Sequence, residues 1–362
     1  MNISYFAEIN LPSKNAYSIH VMKMCEALSY KDKVTLYTFK KKKINLHKIY
    51  NCKNNFKIKA LNLNKFNFLN RLKFCIKLLK IFNKKKYTFK NNLIISRSIL
   101  GGIFMSFFNY RVILEIHHEL TGFTNLIFKM AKLMPFFKKI KFIFISKNLS
   151  KKFALNNSYI ILDDAVNIED FKIKIKRSLI KKKTCVYTGS LAPGKGLENI
   201  IEISKILKKI NFDIYGDFLN SNFKETDLKK YPNIKFMGHV EYRKIPNILN
   251  QYNIVLMPYS KKVYVRAKNI ETSKYMSPMK LFDYMASKKI IIASKLDVYS
   301  HILNEKNSIL IKKHSIKLWV KKIDYVFKNY VRLGYLKRNA FQTVKNYTWN
   351  KRVEKILKFL NV

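Results

Sequence analysis

Carboxylates are scarce in this 362-residue chain: 22 Asp and Glu stand against 72 Lys and Arg, a formal net charge of +50. Cysteine is scarcer still. Cys25, Cys52, Cys75 and Cys185 are scattered with no CxxC spacing, and seven dispersed histidines add no ligand cluster, so neither a disulfide framework nor a zinc site is indicated. No uninterrupted apolar run reaches the ~20 residues that span a bilayer. The first residues, MNISYFAEINLPS, lack the basic flank and long apolar core of a secretory signal. The expected location is therefore the cytoplasm, with a peripheral place on the inner face of the cytoplasmic membrane as an extension. A DxD spacing is also missing, and the adjacent pair Asp163–Asp164 reads as a solvated turn. Zinc-finger, helix-turn-helix and RNA-binding signatures are absent as well, which weakens a nucleic-acid reading of the charge.

What is abundant is lysine, accompanied by Asn and Ile. A/T-rich codons would supply that mixture across a whole proteome, so the charge alone does not name a partner. Its physics remains: each basic residue near an anionic leaflet contributes on the order of 1 kcal/mol. The 48% hydrophobic content is ample for two packed cores.

Short apolar runs alternate with helical patterns along nearly the whole length. Twelve runs read as strands. Six lie in the first half, at 3–6, 34–39, 93–96, 112–116, 142–145 and 159–162, and six in the second, at 185–188, 212–215, 234–237, 254–257, 290–293 and 308–311. Strands separated by helices imply parallel sheets with crossovers. The two sets, parted by the charged stretch 172–183, predict two doubly wound α/β domains facing a cleft, with ligands beyond the carboxyl ends of the strands. Residues 40–90 are lysine-rich around an amphipathic pattern, with Phe66, Phe68, Leu69, Leu72, Phe74, Leu78 and Phe82 interleaved with Arg71, Lys73, Lys77 and Lys80. Such a segment lies on a membrane surface or packs as an ordinary domain helix with a basic face.

Two segments carry chemistry. In KYMSPMKLFDYMASKKIIIAS, 274–294, Ser277 and Pro278 form a helix-start signal, and the helix runs from Met279 to Ser287. Its first-turn amides and positive dipole end suit a diphosphate, with Lys280 and Asp283 on neighbouring positions of one face. In VYTGSLAPGKG, 186–196, a strand gives way to a glycine loop and then to a helical pattern from Leu197. That is phosphate-handling order without a Walker sequence, since no hydroxyl follows Lys195 to hold magnesium.

These motifs resemble the retaining glycosyltransferases of family 4, of the GT-B fold with two Rossmann-like domains. The resemblance extends over essentially the whole chain through TGSLAPGKGLENIIE, IKFMGHVEYRKIPNILNQYNIVLMPYS, SPMKLFDYMASKKIIIAS and YTWNKRVEKIL. It implies an N-terminal acceptor-binding domain over 1–170, a nucleotide-sugar domain over 171–345, and a helix over 346–362 that packs back on the first domain with Trp349 as anchor. It also implies that Lys195 meets the donor diphosphate, backed by Gly189, Ser190 and Lys280. Amides from Met279 to Leu281 would cradle the distal phosphate at the Ser277–Pro278 helix start, and Asp283 would accept from the ribose. Gly238, His239, Val240 and Pro258 would flank the base. In the first domain, His117 would lie near the transferred sugar with Glu115 orienting it, and Ser13, Asn15, Ala16 and Arg97 would serve the acceptor or a phosphate.

The resemblance departs at two points. Ser190 stands where members often carry arginine, and the paired glutamates fall on Tyr275 and Asp283. The implied reaction moves a sugar from a nucleoside diphosphate donor to an acceptor hydroxyl of a glycan or lipid-linked molecule with retention, needing neither metal nor other cofactor. Three rivals remain open. A nucleotide-sugar epimerase of the same fold would need no acceptor, a basic membrane- or nucleic-acid-binding protein would show no turnover, and a degenerate family member would be inactive.

Overall fold

A computed structural model describes residues 1–53, 56–63, 66–84, 92–153, 155–172, 183–218, 221–265, 270–312 and 315–361. The chain forms two compact units, Met1–Asp163 joined by Trp349–Val362, and Asp164–Thr348. The expected boundaries, 170 and 345, lie a few residues from these. Most of the charged stretch expected to part the domains falls outside the described residues.

The first unit is built on strands β1 (Asn2–Leu11), β2 (Lys33–Lys41), β3 (Lys57–Ala60), β4 (Asn92–Ser96), β5 (Val112–Ile116), β6 (Lys141–Phe144) and β7 (Tyr159–Ile161). They pair in the order β3-β2-β1-β4-β5-β6-β7. All neighbours run parallel. The order reverses between β1 and β4, so the segments leaving β1, β4 and β5 gather at one switch point. Those segments carry Ser13–Ala16, Arg97 and His117. β3 was not among the expected strands, because KIKA offers only two apolar residues at a sheet edge.

The second unit repeats the plan. Its strands are β8 (Thr184–Thr188), β9 (Asn211–Tyr215), β10 (Ile234–Gly238), β11 (Ile254–Met257), β12 (Tyr264–Val265), β13 (Ile270–Glu271), β14 (Ile290–Ser294) and β15 (Ile309–Ile311). The main sheet, β10-β9-β8-β11-β14-β15, is parallel, and β12 and β13 form a small antiparallel pair absent from the sequence reading. Period-two alternation sends Cys185, Tyr187, Ile254, Leu256, Ile290 and Ile292 into one core. Val186, Val255, Met257, Ile291 and Ala293 enter the other. A sheet buried on both faces needs such continuous apolar strands, which is why β8, β11 and β14 stand out as runs in the sequence. The two sheets make this a two-domain Rossmann-like fold of the GT-B kind.

Candidate functional site

The second unit assembles a cationic floor at the carboxyl ends of β8 and β11. After β8 the chain turns through Gly189 at φ 133°. A Cβ there would come within 2.7 Å of the Lys280 Nζ atom, so the lysine head occupies the space that a side chain on Gly189 would fill. Lys280 is the second residue of the Met279–Ala286 helix, and its Nζ lies 3.7 Å from the centroid of the Tyr187 ring and 5.3 Å from that of Tyr259. That ammonium is buried and makes no hydrogen bond. Two aromatic faces attract the charge, but they do not replace its water. Burial, and then the nearby charge of Lys195, hold the Lys280 pKa well below the ordinary lysine value. Lys195 itself is lowered by burial to about 8, with its Nζ 5.8 Å from the centroid of the Tyr259 ring. Two like charges in low dielectric, one without a partner, form a site short of an anion.

The loop that carries Lys195 is held rigidly. Gly196 caps the following helix, Leu197–Ile206, in the left-handed region at φ 100°, and a Cβ there would meet the Pro258 carbonyl oxygen at 2.2 Å. The Asn199 amide donates to that same oxygen at 2.7 Å, and the Ser260 N–H donates to Gly194. Ser190 is exposed, and its carbonyl accepts from Tyr187 at 2.9 Å. Gly238 lies at the end of β10 with open space on its Cβ side, followed by exposed His239 and half-buried Val240.

Several placements depart from the sequence reading. Ser277 does not cap the helix: Pro278 is the N-cap, and the Ser277 hydroxyl accepts from the Asp164 N–H at 3.0 Å. Asp164 is buried, so the Asp163–Asp164 pair is no solvated turn. Of the three amides expected to cradle a phosphate, Leu281 donates to the Pro278 carbonyl at 2.9 Å. Those of Met279 and Lys280 belong to the first turn, whose amides a helix cannot satisfy internally. Asp283 is buried and accepts from Tyr242 at 2.9 Å, a contact the sequence did not disclose. Tyr187, Tyr242 and Tyr259 lie within the quoted motifs, but nothing in the sequence assigns them these contacts.

In the first unit a buried carboxylate organises the end of β5. Glu115 Oε1 accepts from Arg352 at 2.6 Å and lies 2.9 Å from Nε2 of both His20 and His117, while Oε2 accepts from Tyr5 at 2.6 Å. Burial alone would raise its pKa, but His20, Arg352 and the histidine hydrogen bonds hold it well below the carboxylate range. An ionised carboxylate can only accept, so His117 donates from Nε2 and keeps Nδ1 as an acceptor. Burial, and then Arg97, lower the His117 pKa to about 3, so its ring is neutral at physiological pH. Arg97 stacks 4.1 Å over the Tyr17 ring, with Nη1 buried and unpartnered. Ser13 and Asn15 are bonded to each other, and the Ser13 N–H donates to Tyr50 at 2.7 Å; Asn15 precedes the Ala16–Ser29 helix without capping it through its side chain. Trp349 is buried, edge-on to His20 at 5.0 Å.

His20, Glu115 and His117 offer ligand atoms within 4.8 Å of one another, the arrangement that could hold a metal ion. Arg352 places a permanent positive charge on the same oxygen, which opposes a divalent cation. The donor set fits a hydrogen-bonded charge network instead.

Residues 182–329, within the second unit, match the family profile described as glycosyl transferases group 1. No curated protein is similar to the chain in sequence. Among solved structures, a glycosyltransferase from Rickettsia africae superposes with a TM-score of 0.75 at 16% identity, covering 99% of this chain and 98% of that one. Anabaena HepE in complex with UDP and glucose gives a TM-score of 0.71 at 14% identity over 98% and 99% of the two chains. Sucrose-phosphate synthase from Thermosynechococcus elongatus gives 0.72 at 12% identity over 99% and 98%. At these identities the likeness is one of fold.

Proposed function

We propose that the protein transfers a sugar from a nucleoside diphosphate donor to an acceptor hydroxyl with retention at the anomeric carbon, as a family 4 enzyme. The observation that carries this reading is the buried, unpartnered Lys280 ammonium beneath Gly189, next to Lys195 and inside a domain matching glycosyl transferases group 1. A leaving diphosphate gains negative charge as the bond from anomeric carbon to phosphate oxygen breaks. Fixed cations in a desolvated site stabilise that charge more in the transition state than in the ground state. Lys195, Lys280 and the first-turn amides of Met279 and Lys280 supply them, so no metal is needed in this reading. The bond from the acceptor oxygen to the anomeric carbon forms as the acceptor proton passes to the departing diphosphate oxygen. Structural relatives crystallised with UDP and UDP-glucose support a nucleotide-sugar donor.

Asp283, held by Tyr242, is assigned to the ribose, and Gly238–Val240 and Pro258 to the base. The first unit is assigned the acceptor, with His117 Nδ1 accepting from a sugar hydroxyl and Arg97 and the Ser13–Ala16 loop binding nearby. The acceptor is placed among lipid-linked or cell-envelope glycans, at the inner face of the cytoplasmic membrane. Among the described residues, no helix is long and apolar enough to cross a membrane.

The test is thermal unfolding with UDP, ADP, GDP and their sugar conjugates, because a ligand of the native state alone must raise apparent stability. One nucleoside diphosphate is expected to raise Tm with chelator present, and Lys195→Ala and Lys280→Ala should each abolish the rise. No shift with any of them overturns the reading. Donor converted to another nucleotide sugar without an acceptor would favour the epimerase, and product anomeric configuration by NMR decides retention.

A further inference from the structure

The first unit has an open groove unrelated to the residues assigned above. It has a volume of about 210 Å³ and is lined by Phe68, Leu72, Cys75, Leu100, Ile103, Phe104, Phe107, Ile127 and Phe136. Four elements build it: the helices Phe68–Lys84, Ile99–Phe107 and Gly122–Lys132, and the 3-10 turn Pro135–Lys139. The first of these is the amphipathic segment, and its inner face behaves as an ordinary domain helix, with Phe74, Cys75, Leu78 and Phe82 buried. Its outer face is unusual. Phe68, Leu69, Leu72 and Ile76 remain exposed there, at spacings that keep them on one stripe. Across the groove, Phe123, Ile127 and Met130 form a second stripe, and Met130 is 61% exposed. Leu133, just beyond, is 85% exposed. Edge-to-face pairs close the rims, Phe68 with Phe123 at 4.5 Å and Phe107 with Phe136 at 5.5 Å. A contiguous apolar surface of this kind is rare on a protein that meets only water.

The charge around it selects the occupant. The four elements contain no Asp or Glu, while Lys73, Lys80, Lys129, Lys132, Lys138 and Lys139 are all exposed on them. A second copy docking by two-fold symmetry would set this cationic patch against itself, which is repulsive. Nucleic acid would satisfy the lysines but leave a groove with nothing polar to offer a base. A bilayer containing anionic lipid satisfies both features, with headgroups on the lysines and hydrocarbon between the helices. We propose that this groove is a lipid-binding site that admits a hydrocarbon chain of an anionic membrane, the surrounding lysines holding the headgroups. The proposal goes beyond the glycosyl-transfer reading and stands whether or not that reading holds.

The experiment uses the full chain and vesicles of phosphatidylcholine with or without phosphatidylglycerol. A protein of charge +50 will adsorb to any anionic surface, so electrostatic capture must be separated from insertion. At 0.5 M salt the screening length falls to roughly 4 Å, and adsorption by charge alone is lost. Binding to the anionic vesicles is expected to survive this salt and to fall at least tenfold in the triple variant Leu69→Gln, Leu72→Gln, Met130→Gln. These positions are exposed, and an unchanged thermal midpoint confirms that the variant folds. In Phe107→Trp, acyl-brominated lipid should quench the introduced indole, since Trp319 and Trp349 are buried. Binding that disappears at 0.5 M salt, a triple variant that binds like the parent, or an unquenched indole each overturns the proposal. A dimer abolished by the triple variant, or single-stranded DNA that displaces the vesicles and loses affinity in that variant, overturns it in favour of those partners.

Discussion

At the residue scale, an ammonium buried without a counter-ion destabilises the ligand-free protein and becomes useful only when an anion arrives. Lys280→Met keeps the stem and removes the charge. It should raise the stability of the ligand-free protein by about 1–3 kcal/mol, the range for relieving an unsatisfied buried polar group, while abolishing the nucleotide-induced Tm rise. Lys195 gives a pH signature. Its folded pKa of about 8 lies below the unfolded value near 10.4, so the unfolded chain holds more protons between them. Ligand-free stability should therefore rise with pH across that window. A bound diphosphate restores the charged form, so binding at pH 8 should take up protons, and its affinity should fall above that pH. Calorimetry in buffers of different ionisation enthalpy reads the uptake, and a heat independent of buffer would refute it. His117 acts on the acid side. With a folded pKa of about 3 and an unfolded value near 6.5, it makes stability fall as pH drops through that window. Its slope cannot exceed about 1.4 kcal/mol per pH unit. Glu115, also depressed, adds its loss below the unfolded carboxylate value. Denaturant titrations of His117→Gln should flatten the limb above about pH 4.5 and leave below it the loss from Glu115 without that from His117.

Among elements, the turn into the Leu197–Ile206 helix and the C-terminal helix Trp349–Phe359 are the most tightly specified. Gly196→Ala would combine left-handed strain with a Cβ 2.2 Å from the Pro258 carbonyl, so the loop holding Lys195 must move. A loss of at least about 2 kcal/mol in denaturant unfolding is expected, with weaker nucleotide binding. Arg352→Met removes the donor at 2.6 Å from Glu115 and strands the Leu162 and Asp163 carbonyls to which the guanidinium also donates. Breaking a buried pair from one side costs about 3–5 kcal/mol. A variant within 1 kcal/mol of the parent would show that His20 and His117 suffice. The sequence disclosed these elements unevenly. Strands buried on both faces were legible because Ile254–Met257 and residues 290–293 are continuous apolar runs, whereas Lys57–Ala60 sits at an edge and Tyr264–Val265 pairs over only two residues. Lys195, Lys280 and Asp283 could be picked out by motif order. Their tyrosine surroundings could not, since the contacts of Tyr187, Tyr242 and Tyr259 depend on strands distant in sequence. Arg352 was invisible for the same reason: nothing in YTWNKRVEKIL says that its arginine reaches a carboxylate 237 residues away.

For the whole molecule, the two units differ in how the chain supplies them. The second is continuous, Asp164–Thr348, and contains its own two cores together with every residue assigned to the donor. The first is split, since Trp349–Val362 belongs to it and carries both the Arg352 partner of Glu115 and the Trp349 ring against His20. Residues 164–348 expressed alone should therefore unfold cooperatively and retain the nucleotide-dependent Tm rise, lost again with Lys195→Ala. Residues 1–163 alone leave Glu115 buried without its arginine and uncover the face of Ala16–Ser29 that the last helix packs against. That fragment should show loose tertiary packing by near-ultraviolet circular dichroism, and a peptide of residues 349–362 added in trans should restore it. An Arg352→Met peptide should restore it poorly, because its apolar face still docks while the carboxylate stays unpaired. If 1–163 folds fully without the peptide, the C-terminal helix is an accessory. If 164–348 folds but ignores every nucleoside diphosphate that shifts the intact protein, the donor site needs more than the residues assigned to it.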